Sequence, residues 1–380
     1  MKKMIIILFI STAVFAQTKS VEDSLILSGI REIYSIKFEK AFSTFDKLRE
    51  VAPHNPAGKF FDAMVTWWQI LLDLNNTRFD QLFYDKLEAV IEQCDSVLDK
   101  DENNYDALFY KGGALGFRGR LLSVRREWVK AALDGKDALP IVGKIADEYP
   151  ENKDIQLGLG IYNYYAAVIP EKFPFVKPLM YLFPPGNKEL GLSQLKIAAS
   201  EGRYAKYETR YFLLMIYFDF EKDNDEAMKY CKMLLNDFPE NPKFENFLAR
   251  IYFRTRRFNQ ADSVFQVIYK KIKEGKRGYN LQLKRSTLYY LADINARKWK
   301  NKKAVELFKE SLKISEKIDG RHDSGFKVNT ALYLGIIYTR LRNYEKAREY
   351  YGKVLRMDEY NGSHKKAEKK LSALKDKIKN

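Results

Sequence analysis

The chain has 380 residues, of which 46% are hydrophobic and 14% aromatic, and it carries a formal net charge of +16. That length fits two or three ordinary domains or one long repeat array, and the apolar content is ample for a continuous core. The 66 basic and 50 acidic residues are interleaved, which reads as a solvated helical surface with an attraction for acidic partners.

The first residues set the compartment. Lys2 and Lys3 precede an uncharged run over 4–16, and Val14-Phe15-Ala16 offers small residues at the two positions a signal peptidase reads. This is the build of a secretory signal spanning 1–16, and it is short for a membrane span, which needs about 20 apolar residues. An uncleaved anchor is the alternative. Residue 17 is Gln rather than Cys, so a lipid anchor at the cleavage site is not supported. Export across the inner membrane is expected, to the periplasm first and outside the cell second. Nucleic acid is therefore not an expected partner, despite the basic charge.

Downstream, a helical unit recurs. Ala41 is followed four residues later by Phe45, Ala227 by Cys231, Ala261 by Phe265, Ala304 by Phe308 and Ala347 by Tyr351. A matching helix lies upstream of each of the C-terminal ones: Leu214-Met215 before Phe218, Leu248-Ala249 before Tyr252, and Leu334-Gly335 before Tyr338. Pro53 and Pro239 each fall twelve residues after the small residue of their unit. Small residues let paired helices approach, the ring one turn later shares their face, and Pro stops the second helix. This pattern resembles the tetratricopeptide repeat, with its period of about 34 residues. Here Ala227 and Ala261 are 34 apart, whereas Ala261, Ala304 and Ala347 are spaced by 43. Nine residues are therefore inserted twice, near 271–282 and 315–326. Asn295 stands where the family has Tyr.

The resemblance implies an all-α, right-handed α-solenoid of helix-turn-helix repeats. It divides the chain into one repeat over 17–55, an irregular helical middle over 56–207, four repeats over 208–360, and a basic capping helix over 361–380. In the middle, helices are expected over 60–74 and 79–98. The span 105–133 carries Gly112, Gly113, Gly116 and Gly119, which indicates tight helix contacts or a bend. Ala138, twelve before Pro150, marks a degenerate repeat, and Gly191 stands as the small residue of another. Five of the eleven prolines lie between Pro170 and Pro185, so no long helix runs through 158–186. That insertion either folds onto the solenoid or edges a groove, or presents its apolar run to a membrane or partner.

No catalytic constellation has credible spacing. His54, His322 and His364 lack a second metal ligand nearby, and there is no His-Glu-x-x-His or Cys-x-x-Cys. Gly158-Leu159-Gly160 lacks the later glycine of a dinucleotide loop, and Gly191-Leu192-Ser193 does not continue to a nucleophile elbow. Neither an enzyme nor a cofactor is expected. Cys94 and Cys231 read as separately buried thiols. Repeat stacks offer a groove lined by first helices. Arg254, Arg297 and Arg340 share one register there, with Lys243, Asn246 and Arg250 nearby. These six can clamp an acidic partner, or the arginines can simply close the helix ends against the dipole. The expected function is a non-catalytic scaffold or adaptor binding protein partners in the cell envelope, with peripheral contact to membrane or envelope polysaccharide. The alternative is a small-molecule or glycan binder with an aromatic pocket at Trp67, Tyr162, Tyr164 and Tyr165.

Overall fold

The computed structural model describes residues 20–181 and 183–378, without the side chains of 375–378. The expected signal segment over 1–16 lies outside the described residues. The described chain is helical from end to end. In order it comprises α1 (20–34), α2 (Phe38–Val51), α3 (Ala57–Leu72), α4 (Asp80–Leu98), α5 (Tyr105–Val124) and α6 (Trp128–Glu148). There follow α7 (Ile155–Lys172), the short α8 (Lys177–Met180), α9 (Lys188–Glu201), α10 (Lys206–Met215) and α11 (Asn224–Asp237). The remainder is α12 (Pro242–Arg254), α13 (Phe258–Lys273), α14 (Leu281–Arg297), α15 (Asn301–Ile318), α16 (Gly325–Arg340), α17 (Tyr344–Val354) and α18 (Ser363–Ile378). It forms two compact units, one ending at Phe238 and one beginning at Pro239.

One turn builds most of the hairpins. Ile36, Arg126, Lys222, Arg256, Trp299 and Arg342 all have φ between 57° and 65°, and each lies two residues before a second helix. In five of these turns the next N–H reaches back to a carbonyl five residues earlier: Lys37 to Glu32, Glu127 to Leu122, Arg257 to Tyr252, Lys300 to Asn295 and Asn343 to Tyr338. This is the six-to-one bond that closes a helix C-terminus through a left-handed residue. First helices begin on side-chain caps, because their leading N–H groups have no partner inside the helix. Asn104, Asn241, Asn280 and Ser324 supply them.

The expected small residues sit at the hairpin seams. Ala41, Ala227, Ala261, Ala304 and Ala347 are all buried, as are Phe45, Cys231, Phe265, Phe308 and Tyr351. At Gly335 an added Cβ would lie 2.6 Å from the Tyr351 ring, so the ring occupies the space that the missing side chain leaves. Losing such a buried ring costs about 3–5 kcal/mol. The nine-residue inserts are divided between longer helices and longer turns, and each turn is pinned by a carboxylate. Glu245 accepts from Lys271 at 2.6 Å and Tyr279 at 2.7 Å. Asp319 meets Arg285 at 2.5 Å, and both side chains are buried.

The middle of the chain follows the same plan more closely than its sequence suggests. Residues 105–133 are two helices, α5 and α6, broken at Arg125–Glu127 by the left-handed Arg126. The small residue of this hairpin is Ala131, the fourth residue of α6, and not Ala138. Ala131 faces Gly119, where an added Cβ would meet the Ala131 carbonyl oxygen at 3.3 Å. Gly191 is the fourth residue of α9, pressed against α7. The segment over 158–186, expected to hold no long helix, is helical as far as Lys172, because Pro170 falls in the last turn of α7 and removes only one hydrogen bond there; the remainder, between α7 and α9, folds back, with Tyr162 donating its hydroxyl proton to the Pro184 carbonyl.

The first unit closes on itself. Its inner helix α3 is buried on nearly every face, as a helix apolar all round must be. Trp68 of α3 meets Tyr211 of α10 at 5.6 Å and Tyr34 of α1 at 4.6 Å. Tyr34 donates to Glu208 of α10 at 2.6 Å, and Tyr204 donates to Asp23 of α1. The first hairpin of this unit is thus fastened to its last one.

Candidate docking stripe on the second unit

Hairpin register defines one stripe on each first helix, at twelve, eight and four residues before the start of the second helix. Residues at this spacing share a helical face. In the first unit the stripe reads Ile26, Ile30 and Tyr34 on α1, Gly116, Arg120 and Val124 on α5, and Phe212 on α10, continuing to Ile216 and Phe220 in the π-helical turn over 216–221 that follows it. Much of it is consumed inside. Ile26, Ile30, Tyr34, Phe212 and Ile216 are buried. Arg120 pairs with Glu208 at 2.7 Å and lies between the rings of Trp67, at 4.8 Å, and Phe212, at 4.0 Å. Burial, then the Glu208 carboxylate, push the Tyr34 hydroxyl well above its ordinary range.

In the second unit the same register reads Asn246, Arg250 and Arg254 on α12, Tyr289, Asp293 and Arg297 on α14, and Leu332, Ile336 and Arg340 on α16. Five of the six residues singled out for the groove fall on this stripe; Lys243 lies outside it, in the first turn of α12, its amide capped by Asn241. Arg297 pairs with the buried Asp293 at 2.7 Å and covers the rings of Phe253 and Phe258 in the preceding hairpin at 5.5 and 4.8 Å. Arg340 likewise reaches back, donating to the Ala296 carbonyl at 3.2 Å and covering Trp299 at 5.2 Å. The arginines therefore staple neighbouring repeats, and Arg297 still leaves 46% of its side chain exposed. The Asn246 Oδ1 is buried without a hydrogen-bond partner.

Beside the arginines stands a wall of rings. Tyr289 meets Phe326 at 5.3 Å and Tyr333 at 6.1 Å, and Tyr333 stacks on Phe308 at 5.6 Å. Burial raises the pKa of both hydroxyls, and the Asp293 carboxylate adds to it. Burial alone would lower the Arg297 pKa, but the hydrogen bond to Asp293 more than restores it, so the guanidinium stays charged. The stripe thus combines planar cations, half-buried hydroxyls and ring faces. Guanidinium groups can bond carboxylates, and ring faces can stack on planar or cationic groups. The stripe holds no nucleophile paired with a base, and among the described residues no group of three His, Cys, Asp or Glu is placed to bind a metal.

The four aromatics proposed as a pocket fall in three environments. Trp67 is wholly buried against Phe83 and Phe117. Tyr164 donates to Glu221 at 2.6 Å, and it and Tyr165 pack on Phe220. Tyr162 faces the insertion, with Phe183 at 6.4 Å. Cys94 and Cys231 are free and buried. Sequence reasoning passed over Arg120, Glu208, Tyr289, Asp293 and Tyr333. Carrying the arginine register back by one and two helical turns identifies all but Glu208 and Tyr333, the latter one residue beyond it.

A family model described as tetratricopeptide repeat matches residues 283–360, the segment that contains the Tyr289, Arg297 and Arg340 stripe. Among solved structures the chain is similar to NprR in complex with its cognate peptide NprX, at 12% identity, 92% of this chain, 81% of that chain and a TM-score of 0.44. It is also similar to a tetratricopeptide repeat protein from Parabacteroides merdae, at 12% identity, 83% and 98% coverage and a TM-score of 0.40. A third is yeast Tom70, at 14% identity, 92% and 80% coverage and a TM-score of 0.37. Residues 283–360 thus carry tetratricopeptide repeats, and the seams of small residues and the left-handed turns found there recur along the rest of the described chain.

Proposed function

We propose that the chain is a non-catalytic scaffold of the cell envelope that holds a protein partner on the stripe of its second unit. Tetratricopeptide repeats suggest protein interaction in general. The observation that carries the assignment is the contrast between the two stripes. The first unit buries much of its own beneath Trp67, Trp68 and Tyr211, whereas the second keeps Tyr289 half-buried and Arg297 and Arg340 exposed. The arginines and the net charge of +16 favour a partner with acidic side chains. The signal-like segment over 1–16 supports the envelope as the compartment, with the periplasm first. A glycan-binding reading has less support, because Trp67 and Tyr164 are spent on internal packing.

Crosslinking in the native envelope, read by mass spectrometry, tests both parts. The wild-type chain should give partner crosslinks to the second unit. Tyr289→Ala combined with Arg297→Glu should remove them while the helical circular dichroism is kept. Crosslinks that persist unchanged in the variant, or that map to the first unit alone, would refute the assignment, and recovery of the chain in the cytoplasmic fraction would refute the compartment.

A further inference from the structure

The outer wall of the first unit carries an apolar surface that repeat packing does not use. Val129 and Leu133, one turn apart on α6, are 61% and 50% exposed, and in the insertion Phe175 and Tyr181 are 61% and 91% exposed. Trp128 joins the two parts, with its ring 5.8 Å from Phe175 and 6.4 Å from Phe173. The insertion is fastened behind these rings: Phe183 lies 3.6 Å from where a Cβ on Gly135 would stand, and Tyr162 bonds Pro184. A fixed segment holds its rings outward. Around them Arg126, Lys130, Lys136 and Lys177 are exposed. Of the nearby acids, Glu127 is engaged by Lys130, while Asp137 and Glu171 are exposed, so the rim is basic on balance.

We infer that this face docks on an anionic lipid surface, with Phe175 and Tyr181 seated among the headgroups and Lys136 and Lys177 on their phosphates. Amphipathic rings favour the bilayer interface, and a basic rim supplies the attraction to anionic lipid. The patch stands on a second helix and its neighbouring insertion, facing outward, whereas a peptide groove would lie on first helices. No helix among the described residues is long and apolar enough to cross a membrane, so the contact is peripheral. This goes beyond the partner-holding role assigned to the second unit and does not depend on it.

The test uses the full chain with Tyr181→Cys carrying an environment-sensitive fluorophore; the buried Cys94 and Cys231 do not compete for the label. Vesicles of phosphatidylglycerol with phosphatidylcholine should shift the emission to the blue, and vesicles of phosphatidylcholine alone should shift it weakly. Adding Lys136→Glu and Lys177→Glu should weaken the response about thirtyfold or more, as expected for loss and reversal of two surface cations. The same label at Val267→Cys, exposed on α13, should stay silent. Because every replaced side chain is exposed, thermal melting monitored by circular dichroism should be unchanged. No shift with phosphatidylglycerol, an equal shift at position 267, or a shift without vesicles that grows with protein concentration would overturn the proposal. The last of these would assign the patch to a second copy of the chain.

Discussion

Gly191 offers the sharpest test of how the α7–α9 hairpin is built. An added Cβ there would lie 2.5 Å from the Tyr164 nitrogen, 2.9 Å from the Gly160 oxygen and 3.0 Å from the Tyr164 Cα. All three are backbone atoms, so no side-chain rotation relieves the clash. Ordinary contact begins at 3.4 Å, so α9 must move from α7 by about 1 Å, and overpacking of this kind costs about 1–3 kcal/mol. Alanine returns about 1 kcal/mol of helix propensity, so Gly191→Ala should destabilise the first unit by up to about 2 kcal/mol. Gly143, inside α6, has nothing within 4 Å of an added Cβ, and Gly143→Ala should stabilise by up to about 1 kcal/mol. Denaturant unfolding followed through Trp67 and Trp68, both buried in that unit, reads the pair. If Gly191→Ala stabilised the unit as Gly143→Ala does, the close α7–α9 crossing would be wrong.

Three further expectations concern the turns, a carboxylate and the thiols. Arg342 has φ 57°, so Arg342→Gly should remove left-handed strain and raise stability by up to about 1 kcal/mol in a thermal melt; a lowered melting temperature would count against a strained turn. Burial pushes the Glu221 carboxyl up, but hydrogen bonds from Lys188, at 2.6 Å, and Tyr164 outweigh it and leave it below its ordinary 4.5. Its contribution is therefore complete above about pH 4.5 and lost as pH falls through the folded value. Glu221→Gln should be less stable than wild type at neutral pH, and the gap should close on acidification; a gap that widens would reverse the sign. Burial pushes the Cys94 and Cys231 thiols up to about 12, so alkylation at neutral pH should follow unfolding rather than precede it. Labelling of the native protein at the rate of a free thiol would contradict their burial.

The hairpin seams were legible because side-chain size alone enforces them: only a small residue at Ala227 or Ala347 admits a neighbouring helix. The α5–α6 hairpin was not, because Gly135 stands where the other units carry a ring or another large apolar residue, and Pro150 happens to fall twelve after Ala138. The arginine register was readable, but its use was not. Arg297 and Arg340 turn back onto Phe253, Phe258 and Trp299, a matter of local direction that spacing leaves open. The convergence of Tyr34 and Arg120 on Glu208, 174 and 88 positions away, depends on how far successive hairpins curve, and no short pattern encodes curvature.

An open array of hairpins tolerates loss of a terminal repeat, since each depends only on its neighbours. The first unit gives up that freedom. With Tyr34 bound to Glu208 and Asp23 bound to Tyr204, its opening helix completes the lining of its closing one. Removing α1 would bare the Trp68–Tyr211 contact and leave Glu208 with Arg120 as its remaining partner. Loss of α1 should therefore weaken the whole first unit rather than its first hairpin alone.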